Sequence, residues 1–246
     1  MNEHSQAPAA VRRVIVRAFG WLLVGLAGAG LAIWLKPALA VVVLILGGAS
    51  LAFTVFTLYF FRDPNPTVPA EAAAIVAPAH GVVDCVEETT EPEFLGGACR
   101  RLSIFLSVLD VHVQNAPVAG RITLLRYQPG QFLSALRTDS ARHNESMLIG
   151  IESSEAPGER IAVRQIAGLI ARRVVTWASM GDHVTRGQRL GLIQYGSRCD
   201  LYLPLSAQVA VHRGDRVVGG ETIVATRFPA PWSENVLIGV NSRSPS

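Results

Sequence analysis

The sequence predicts a mainly β domain that follows a two-helix transmembrane hairpin. From Phe19 to Phe61 nearly every residue is apolar or small, whereas the rest of the chain consists of short alternating runs bounded by Gly, Pro or Asp. Long apolar runs fit helices that cross a bilayer. Short runs with period two fit strands with one buried face. An internal repeat in the second region supports the β prediction.

The apolar region divides at Lys36-Pro37 into two segments, "FGWLLVGLAGAGLAIWL" and "ALAVVVLILGGASLAFTVFTLYFF". Each is about long enough to cross a hydrocarbon core of roughly 30 Å. A secretory signal peptide would have one shorter apolar core and a cleavage site of small residues. We therefore expect two membrane spans, with a buried hairpin of a soluble protein as the alternative.

Flanking arginines predict the orientation of this hairpin. Arg12, Arg13 and Arg17 precede the first span and Arg62 follows the second, whereas the connecting loop holds only Lys36. Positive residues favour the cytoplasmic side of a membrane. The expected location is thus the cell (inner) membrane, with the β-rich domain in the cytoplasm. The expected order is an N-terminal tail at 1–17, two spans at 18–61, a β-rich domain at 62–228 and a C-terminal tail at 229–246.

The region after Phe61 contains about ten candidate strands, among them "AAIVAPAHGVVDCV", "CRRLSIFLSVLDVHV", "GRITLLRY" and "RLGLIQYG". Helical periodicity occurs only in "QFLSALRTDSARHNE". Residues 181–190 and 214–223 share the pattern G-D-x-V-x-x-G-[QE]-x-[LI], and "APAHGVV" is loosely repeated as "APVAGRI". These units resemble the half-motifs of lipoyl and biotinyl domains, which implies a barrel-sandwich-like β domain. Two coincidental glycine turns are the alternative interpretation.

Composition excludes several classes of function. The 22 basic residues include a single lysine, Lys36, so the β domain has no lysine to carry biotin, lipoate or pyridoxal phosphate. No basic stripe with interleaved aromatic residues occurs, and a nucleic-acid partner is not expected. The three cysteines are odd in number and lack metal-ligand spacing. They indicate a reducing compartment, and no metal site is predicted.

The segment "GLIQYGSRCDLYLP" places Gly196-Ser197 between two apolar strands. In a simple interpretation this is a turn. In another, the Ser197 hydroxyl attacks the carbonyl of Gly196, whose lack of a side chain permits the strained backbone that this attack requires. Elimination across the ester would release the upstream chain and leave a dehydroalanine, which hydrolyses to a pyruvoyl group. Such a carbonyl could perform amine chemistry without a lysine.

This segment resembles the processing site of phosphatidylserine decarboxylases of the short bacterial and archaeal type. Further segments resemble that family in the same order, from about Phe60 to Thr226. They are "FFRDPNPTVP", "VAPAHGVVDCV", "LSVLDVHVQNAPVAGRI", "HNES" and "IAVRQIAGLIARRVV".

The resemblance implies cleavage between Gly196 and Ser197, which would give a heterodimer of chains 1–196 and 197–246. Ser197 would become a covalent pyruvoyl cofactor that forms a Schiff base with phosphatidylserine. The products would be phosphatidylethanolamine and carbon dioxide. His112 in "DVHV" matches the family histidine that handles protons, a task that suits imidazole. The implied partners are a phospholipid substrate and the membrane.

Two positions depart from the family pattern. Ala79-His80-Gly81 stands where Ala-Asp-Gly is usual, and Asn115 stands where arginine or histidine is common. The usual aspartate is thought to assist self-cleavage. We therefore take His80 as a possible self-cleavage base, because a neutral imidazole can accept the serine proton. Asp84 or Asp110 could instead supply the missing carboxylate, or maturation could be slow or lost.

Other functions remain open at the level of sequence. A non-catalytic membrane-anchored adaptor with a lipoyl-like fold would share the spans and the repeats. An autoprocessing hydrolase would keep Ser197 as a free nucleophile. A decarboxylase of a related phosphatidyl-amino-acid would use the same carboxylate and amine chemistry.

Overall fold

A computed structural model of the chain describes residues 9–35, 37–130, 144–168, 173–194 and 197–227. Two helices precede a β-rich region, as the sequence predicts. The helices are α1 (Ala9–Leu35) and α2 (Pro37–Phe60). The strands are β1 (Ala74–Val76), β2 (Gly81–Glu91), β3 (Gly97–Leu106), β4 (Val113–Asn115), β5 (Gly120–Gln128), β6 (Ser146–Ser153), β7 (Arg160–Ala167), β8 (Val174–Thr176), β9 (His183–Val184), β10 (Arg189–Ile193), β11 (Ser197–Leu203), β12 (Gln208–Val209), β13 (Arg216–Val217) and β14 (Ile223–Thr226).

The two helices meet at the predicted break. Pro37 begins α2, where proline is well tolerated because its missing N–H would have no partner in the first turn. Helix α1 begins at Ala9, directly after Pro8 and inside the segment predicted as a tail, and no glycine or proline lies between Ala9 and Gly20. The tail boundary at residue 17 is therefore not a boundary of secondary structure.

The surface of the helices is strongly apolar. Most of the exposed large apolar side chains in the described residues lie on α1 and α2, including Trp21 at 69% and Ile45 at 65% exposure. By length and composition, Val41–Phe60 is the one described helical segment that could span a membrane, and Ile15–Gly28 is a shorter apolar stretch. The helices touch at Thr54, whose Oγ1 donates to the Ala18 carbonyl at 3.4 Å.

The strands form three sheets. An eight-stranded sheet has the order β13-β2-β3-β11-β7-β6-β5-β9, and two smaller sheets have the orders β1-β14-β12 and β4-β10-β8. All the recorded pairs are antiparallel. The large sheet curls around the main hydrophobic core, to which Leu102, Ile104, Ile149, Ile161 and Leu201 belong. The prediction of a mainly β fold is confirmed.

The internal repeat has matching hydrogen bonds in its two copies. The amide of Gly181 donates to Ile122 and that of Gly214 to Val83, both at 2.8 Å. One turn later, Gly187 donates to Ala116 and Gly220 to Ala77, again at 2.8 Å. The "APAHGVV" and "APVAGRI" segments thus have equivalent places in two related halves of the domain.

The predicted strand "CRRLSIFLSVLDVHV" is wrong in its second half. Strand β3 ends at Leu106, and a loop leads to β4 at Val113. The Asp110 carboxylate closes this loop, because its Oδ2 accepts hydrogen bonds from both the amide and the hydroxyl of Ser107 at 2.9 and 2.8 Å. Such side-chain bonds compete with the strand ladder. The loop leads from β3 of the large sheet to β4 of a small sheet, and His112 directly precedes β4.

Candidate active site

Ser197 begins β11 in the middle of the large sheet. It pairs with Leu106 of β3 on one side and with Ala167 of β7 on the other. The residue is fully buried, and its Oγ has no hydrogen-bond partner in the part of the chain that the structure describes. A buried hydroxyl without a partner is unusual in a folded protein. The predicted cleavage partner, Gly196, lies outside the described residues.

The chain changes sheets immediately before Ser197. Strand β10 belongs to the small sheet with β4 and β8, whereas β11 belongs to the large sheet. Only residues 194–196 connect the two strands. A break between 196 and 197 would therefore cut a crossover and leave both strands in place.

His112 lies directly before β4 and is fully buried. Its Nδ1 is 2.9 Å from the backbone carbonyl of Asp110, so Nδ1 carries a proton and Nε2 is the basic nitrogen of the ring. The ring packs against Phe60 at the end of α2, with centroids 4.2 Å apart. Burial lowers the pKa of His112 to about 4. The imidazole is therefore neutral near pH 7.

Backbone contacts join His112 to the Ser197 region. The carbonyl of His112 accepts a hydrogen bond from the amide of Ile193 at 3.2 Å. The Ile193 side chain packs in a small cluster with Ala167, the residue that pairs with Ser197. The two predicted catalytic residues thus flank the short crossover between β10 and β11.

A buried chain of amides supports the backbone of His112, and sequence reasoning missed it. Gln114 Nε2 donates to the His112 carbonyl at 2.7 Å. Gln165 Nε2 donates to Gln114 Oε1 at 2.7 Å, and Thr176 Oγ1 donates to Gln165 Oε1 at 3.2 Å. These residues come from β4, β7 and β8. The contacts depend on strand register, which has no local signal in the sequence.

The "HNES" segment supports the strand beside Ser197. Asn144 Nδ2 donates to the Ala167 carbonyl at 2.7 Å, and the Ala167 amide donates to the Glu145 carbonyl at 2.9 Å. Both polar residues are buried. Asn144 and Glu145 therefore fix the end of β7 against which Ser197 lies.

His80 lies at the start of β2 and is partly buried. Burial lowers its pKa, and the charges of Glu221 and Asp110 oppose that shift. The register places β3 between β2 and β11, since Val82 pairs with Phe105 and Phe105 pairs with Arg198. Strands two apart are separated by about 10 Å. Among the described residues no direct contact joins His80 to Ser197.

Asp84 and Asp110, the alternative candidates for the base, are both close to arginines. Asp84 forms an ion pair with Arg198, and Asp110 forms one with Arg216. Asp110 also holds the loop before His112 through its bonds to Ser107. Both carboxylates therefore have structural partners.

Asn115, the second position that departs from the family pattern, makes two hydrogen bonds to backbone carbonyls. Its side-chain Nδ2 donates to the Gly187 carbonyl at 2.8 Å, and its backbone N–H donates to the Pro78 carbonyl at 2.8 Å. The residue is buried where the two repeated halves meet. The uncharged side chain of Asn115 thus donates to the Gly187 carbonyl without placing a charge in this buried position.

Comparison with known proteins shows the family of the chain. The family model described as phosphatidylserine decarboxylase matches residues 53–225. The chain belongs to the phosphatidylserine decarboxylase family.

Relatives of this family cover most of the chain. A protein of Symbiobacterium thermophilum is 44% identical over 221 residues, which are 89% of this chain and 98% of the relative. A protein of Desulfotalea psychrophila is 45% identical over 171 residues, or 70% of this chain and 79% of the relative. One of Ruegeria pomeroyi is 43% identical over 184 residues, or 74% and 83%. Each is named a phosphatidylserine decarboxylase proenzyme. The predicted family is confirmed, and the family is one of decarboxylases.

Proposed function

We propose that this chain decarboxylates phosphatidylserine to phosphatidylethanolamine and carbon dioxide, with a pyruvoyl group formed from Ser197. Family membership supports the reaction. The observation that supports the assignment to Ser197 is its buried hydroxyl at the change between two sheets, which has no hydrogen-bond partner among the described residues. This hydroxyl follows Gly196 in the sequence, as self-cleavage at that bond requires.

Maturation begins when Ser197 Oγ attacks the carbonyl carbon of Gly196. The attack exchanges the amide for an ester, and elimination then frees the carboxylate of Gly196 and leaves a dehydroalanine. The imine tautomer of this residue would add water and release ammonia to give the pyruvoyl group.

A base must take the hydroxyl proton, and we retain His80 as the candidate. Because β3 lies between β2 and β11, His80 would act through a water molecule and not by direct contact with Ser197. Its lowered pKa keeps the imidazole neutral near pH 7, whereas Asp84 and Asp110 are paired with arginines.

The pyruvoyl group supplies a carbonyl that condenses with the substrate amine and withdraws electrons as carbon dioxide leaves. His112 has the properties of the proton carrier for this reaction. Its neutral Nε2 can take a proton from the substrate ammonium group and later return it to the carbon that has lost its carboxylate. The Asp110 carbonyl holds Nδ1–H and so keeps Nε2 as the basic nitrogen.

The two products of cleavage would remain one unit. The chain 197–246 would contain β11, and this strand lies between β3 and β7 of chain 1–196. Strand β14 pairs with β1, and β13 pairs with β2. Many backbone hydrogen bonds would therefore hold the two chains together after the peptide bond is cut.

We further propose that α1 and α2 anchor the domain in the cell (inner) membrane, with the domain on the cytoplasmic side. The end of α2 contacts the site through Phe60, which packs on His112. Phe61 and Ile15 pack against Val111, Val113 and Leu192 around it. A tether at this position keeps the site near lipid head groups at high effective concentration.

The test is an assay of the purified protein in vesicles that contain phosphatidylserine labelled in the serine carboxyl carbon. The account predicts release of labelled carbon dioxide and formation of phosphatidylethanolamine. Ser197→Ala is the control and should release none. A wild-type protein that is cut but releases no carbon dioxide from phosphatidylserine would refute this substrate.

A further inference from the structure

The side chain of Gln165 connects the large sheet to the small sheet β4-β10-β8. Gln165 belongs to β7 and lies two residues before Ala167, which pairs with Ser197. Residues two apart in a strand share a face, and so do residues directly opposite each other, so Gln165 lies on the face to which Ser197 points. Gln165 is fully buried. Its amide group must therefore find hydrogen-bond partners inside the protein.

Those partners lie in one row across the small sheet. Gln114 of β4 and Thr176 of β8 both pair with Gly191 of β10, so the three residues share one face. Gln165 Nε2 donates to Gln114 Oε1 at 2.7 Å, and Gln165 Oε1 accepts a hydrogen bond from Thr176 Oγ1 at 3.2 Å. One side chain of the large sheet thus contacts both outer strands of the small sheet.

Gly191 provides the space for this contact. A Cβ atom at this position would lie 2.7 Å from Gln165 Nε2 and 2.4 Å from the carbonyl oxygen of Val175, closer than carbon normally approaches either atom. A glycine inside a strand often marks such a close approach. The lack of a side chain at 191 therefore lets the Gln165 amide lie over the central strand and reach the two strands beside it.

The backbone of His112 fixes the direction of this hydrogen-bond chain. A backbone carbonyl only accepts, so Gln114 must present its NH₂ group to the His112 carbonyl, which it does at 2.7 Å. The oxygen of Gln114 then faces Gln165, which must also present its NH₂ group. The oxygen of Gln165 is left to accept the hydrogen bond from Thr176. The chain therefore runs in one direction, from Thr176 to His112.

This chain joins the two parts of the candidate active site. His112 directly precedes β4 of the small sheet, whereas Ser197 begins β11 of the large sheet. The His112 carbonyl accepts hydrogen bonds from Gln114 Nε2 at 2.7 Å and from the Ile193 amide at 3.2 Å. The bond from Ile193 stays within the small sheet. The bond from Gln114 leads on through Gln165 to the strand beside Ser197.

We propose that Gln165, acting through Gln114, is a positioning residue that holds His112 in place relative to the group formed at Ser197. This assignment rests on the proposed function and deepens it. Neither amide has a proton to transfer near neutral pH, so both residues act on the geometry of the reaction. A displacement of about 1 Å can cost about a hundredfold in rate. Loss of the chain should therefore lower kcat and leave the KM for phosphatidylserine nearly unchanged.

Gln114→Glu gives the sharpest test. An ionised carboxylate cannot donate to the His112 carbonyl, whereas a protonated carboxyl group can. Because burial raises the pKa of a carboxyl group, kcat should be at least about tenfold below wild type near pH 8 and should recover towards about pH 6. His112 has a pKa of about 4 and stays neutral over this range. Gln188→Glu is the control, because the Gln188 oxygen accepts from the Thr185 amide and a carboxylate keeps that role.

Gln165→Leu and Gln114→Leu keep the test decisive if the charged variant does not fold. For either change, kcat per cleaved chain should fall about tenfold to a hundredfold with little change in KM. The double variant should lose little more than either single one, because both residues act through one chain. Three results would overturn the proposal: additive losses in the double variant, a raised KM with unchanged kcat, or equal impairment of Gln114→Glu at both pH values.

A failure of the proposed function is distinguishable from these results. Diethyl pyrocarbonate modifies neutral imidazole, and mass spectrometry of the peptides measures its reaction with His112 without any decarboxylation. Modification of His112 should be several-fold faster in Gln165→Leu than in the wild type, with the exposed His183 as the internal reference. Equal rates in the two proteins would contradict the positioning role. Faster modification in a protein that releases no carbon dioxide from phosphatidylserine would support the positioning role and reject only the proposed function.

Discussion

At the scale of single residues, the site depends on a histidine that is held neutral. Burial under Phe60 lowers the pKa of His112 to about 4, and the Asp110 carbonyl fixes the proton on Nδ1. A neutral imidazole can accept a proton at once and return it later, whereas an imidazolium could only donate. The environment therefore keeps His112 in the neutral form that the proposed proton transfer requires.

Replacement of this histidine should separate decarboxylation from maturation. In His112→Gln we expect the rate of carbon dioxide release to fall by about 10²- to 10⁴-fold, the usual contribution of a general acid–base group. Cleavage before Ser197 should continue, since the mechanism assigns that proton to another residue. Carbon dioxide release and gel analysis of the same sample measure both effects. A variant with wild-type kcat would contradict the role of His112.

His80→Ala tests the proposed base for self-cleavage. We expect cleavage of freshly translated chain, followed on a gel, to slow by at least about tenfold. His183→Ala is the control, because that histidine is exposed on β9. Equal cleavage rates for wild type and His80→Ala would show that the proton goes elsewhere.

At the scale of elements, helix α2 contributes to the site through its last residue. Phe60 covers His112, and Arg62 donates to the carbonyls of both Tyr59 and Leu109 at 2.8 and 2.7 Å. The helix end and the loop before His112 are thus joined. The end of α2 therefore helps to set the pKa of His112, the proposed proton carrier.

Phe60→Ala should make catalysis more sensitive to acid. Loss of the ring lets water reach His112, so its pKa should rise from about 4 towards the ordinary value of 6.5. Because the neutral form is required, activity would then be lost at a higher pH as the solution is acidified. The pH dependence of kcat measures this shift, with Phe53→Ala on the exposed side of α2 as the control. The same acid limb in wild type and Phe60→Ala would contradict the role of the ring.

The sequence predicts which helices and strands form more accurately than where each of them begins and ends. Two features follow from residues that are close together in the sequence, and the structure contains both. They are the break between the helices at Lys36-Pro37 and the glycine-rich repeats. The loop that interrupts "CRRLSIFLSVLDVHV" was missed, because alternating apolar residues continue through it and only the Asp110 bonds to Ser107 close it. The candidate helix "QFLSALRTDSARHNE" falls mainly outside the described residues.

The same distinction applies to the site. Ser197 and His112 are found from contiguous motifs, whereas the Gln114–Gln165 bond and the Asp84–Arg198 pair join residues far apart in the sequence. Strand register creates these contacts, and one sequence without its fold does not reveal register. The sequence therefore offers Ser197 and His112 as candidates but does not reveal the residues that contact them.

At the scale of the whole molecule, the two proposed chains are held together by more than strand pairing. Arg227, near the end of the described small chain, forms ion pairs with Glu155 and Glu159, both at 2.8 Å. Its guanidinium also donates to the Ala72 carbonyl at 2.8 Å. These partners all belong to the proposed large chain. The network is largely buried and should contribute to the association of the chains.

Arg227→Met should weaken that association. Removal of one partner from a buried charged network costs about 1 to 3 kcal/mol, so the temperature at which the chains separate should fall by several degrees. Arg126→Met, at an exposed ion pair with Glu93, should have little effect. Thermal unfolding in detergent, followed by separation of the chains on a sizing column, provides the measurement. Equal transitions for both variants would show that the network does not hold the chains together.

The intact mass of the mature protein shows whether the chain is cut before Ser197. The account predicts two chains, 1–196 and 197–246, with a pyruvoyl group in place of Ser197 that blocks the N-terminus of the smaller one. A single uncut chain of 26.4 kDa, or a small chain that begins with an unmodified serine, would contradict it.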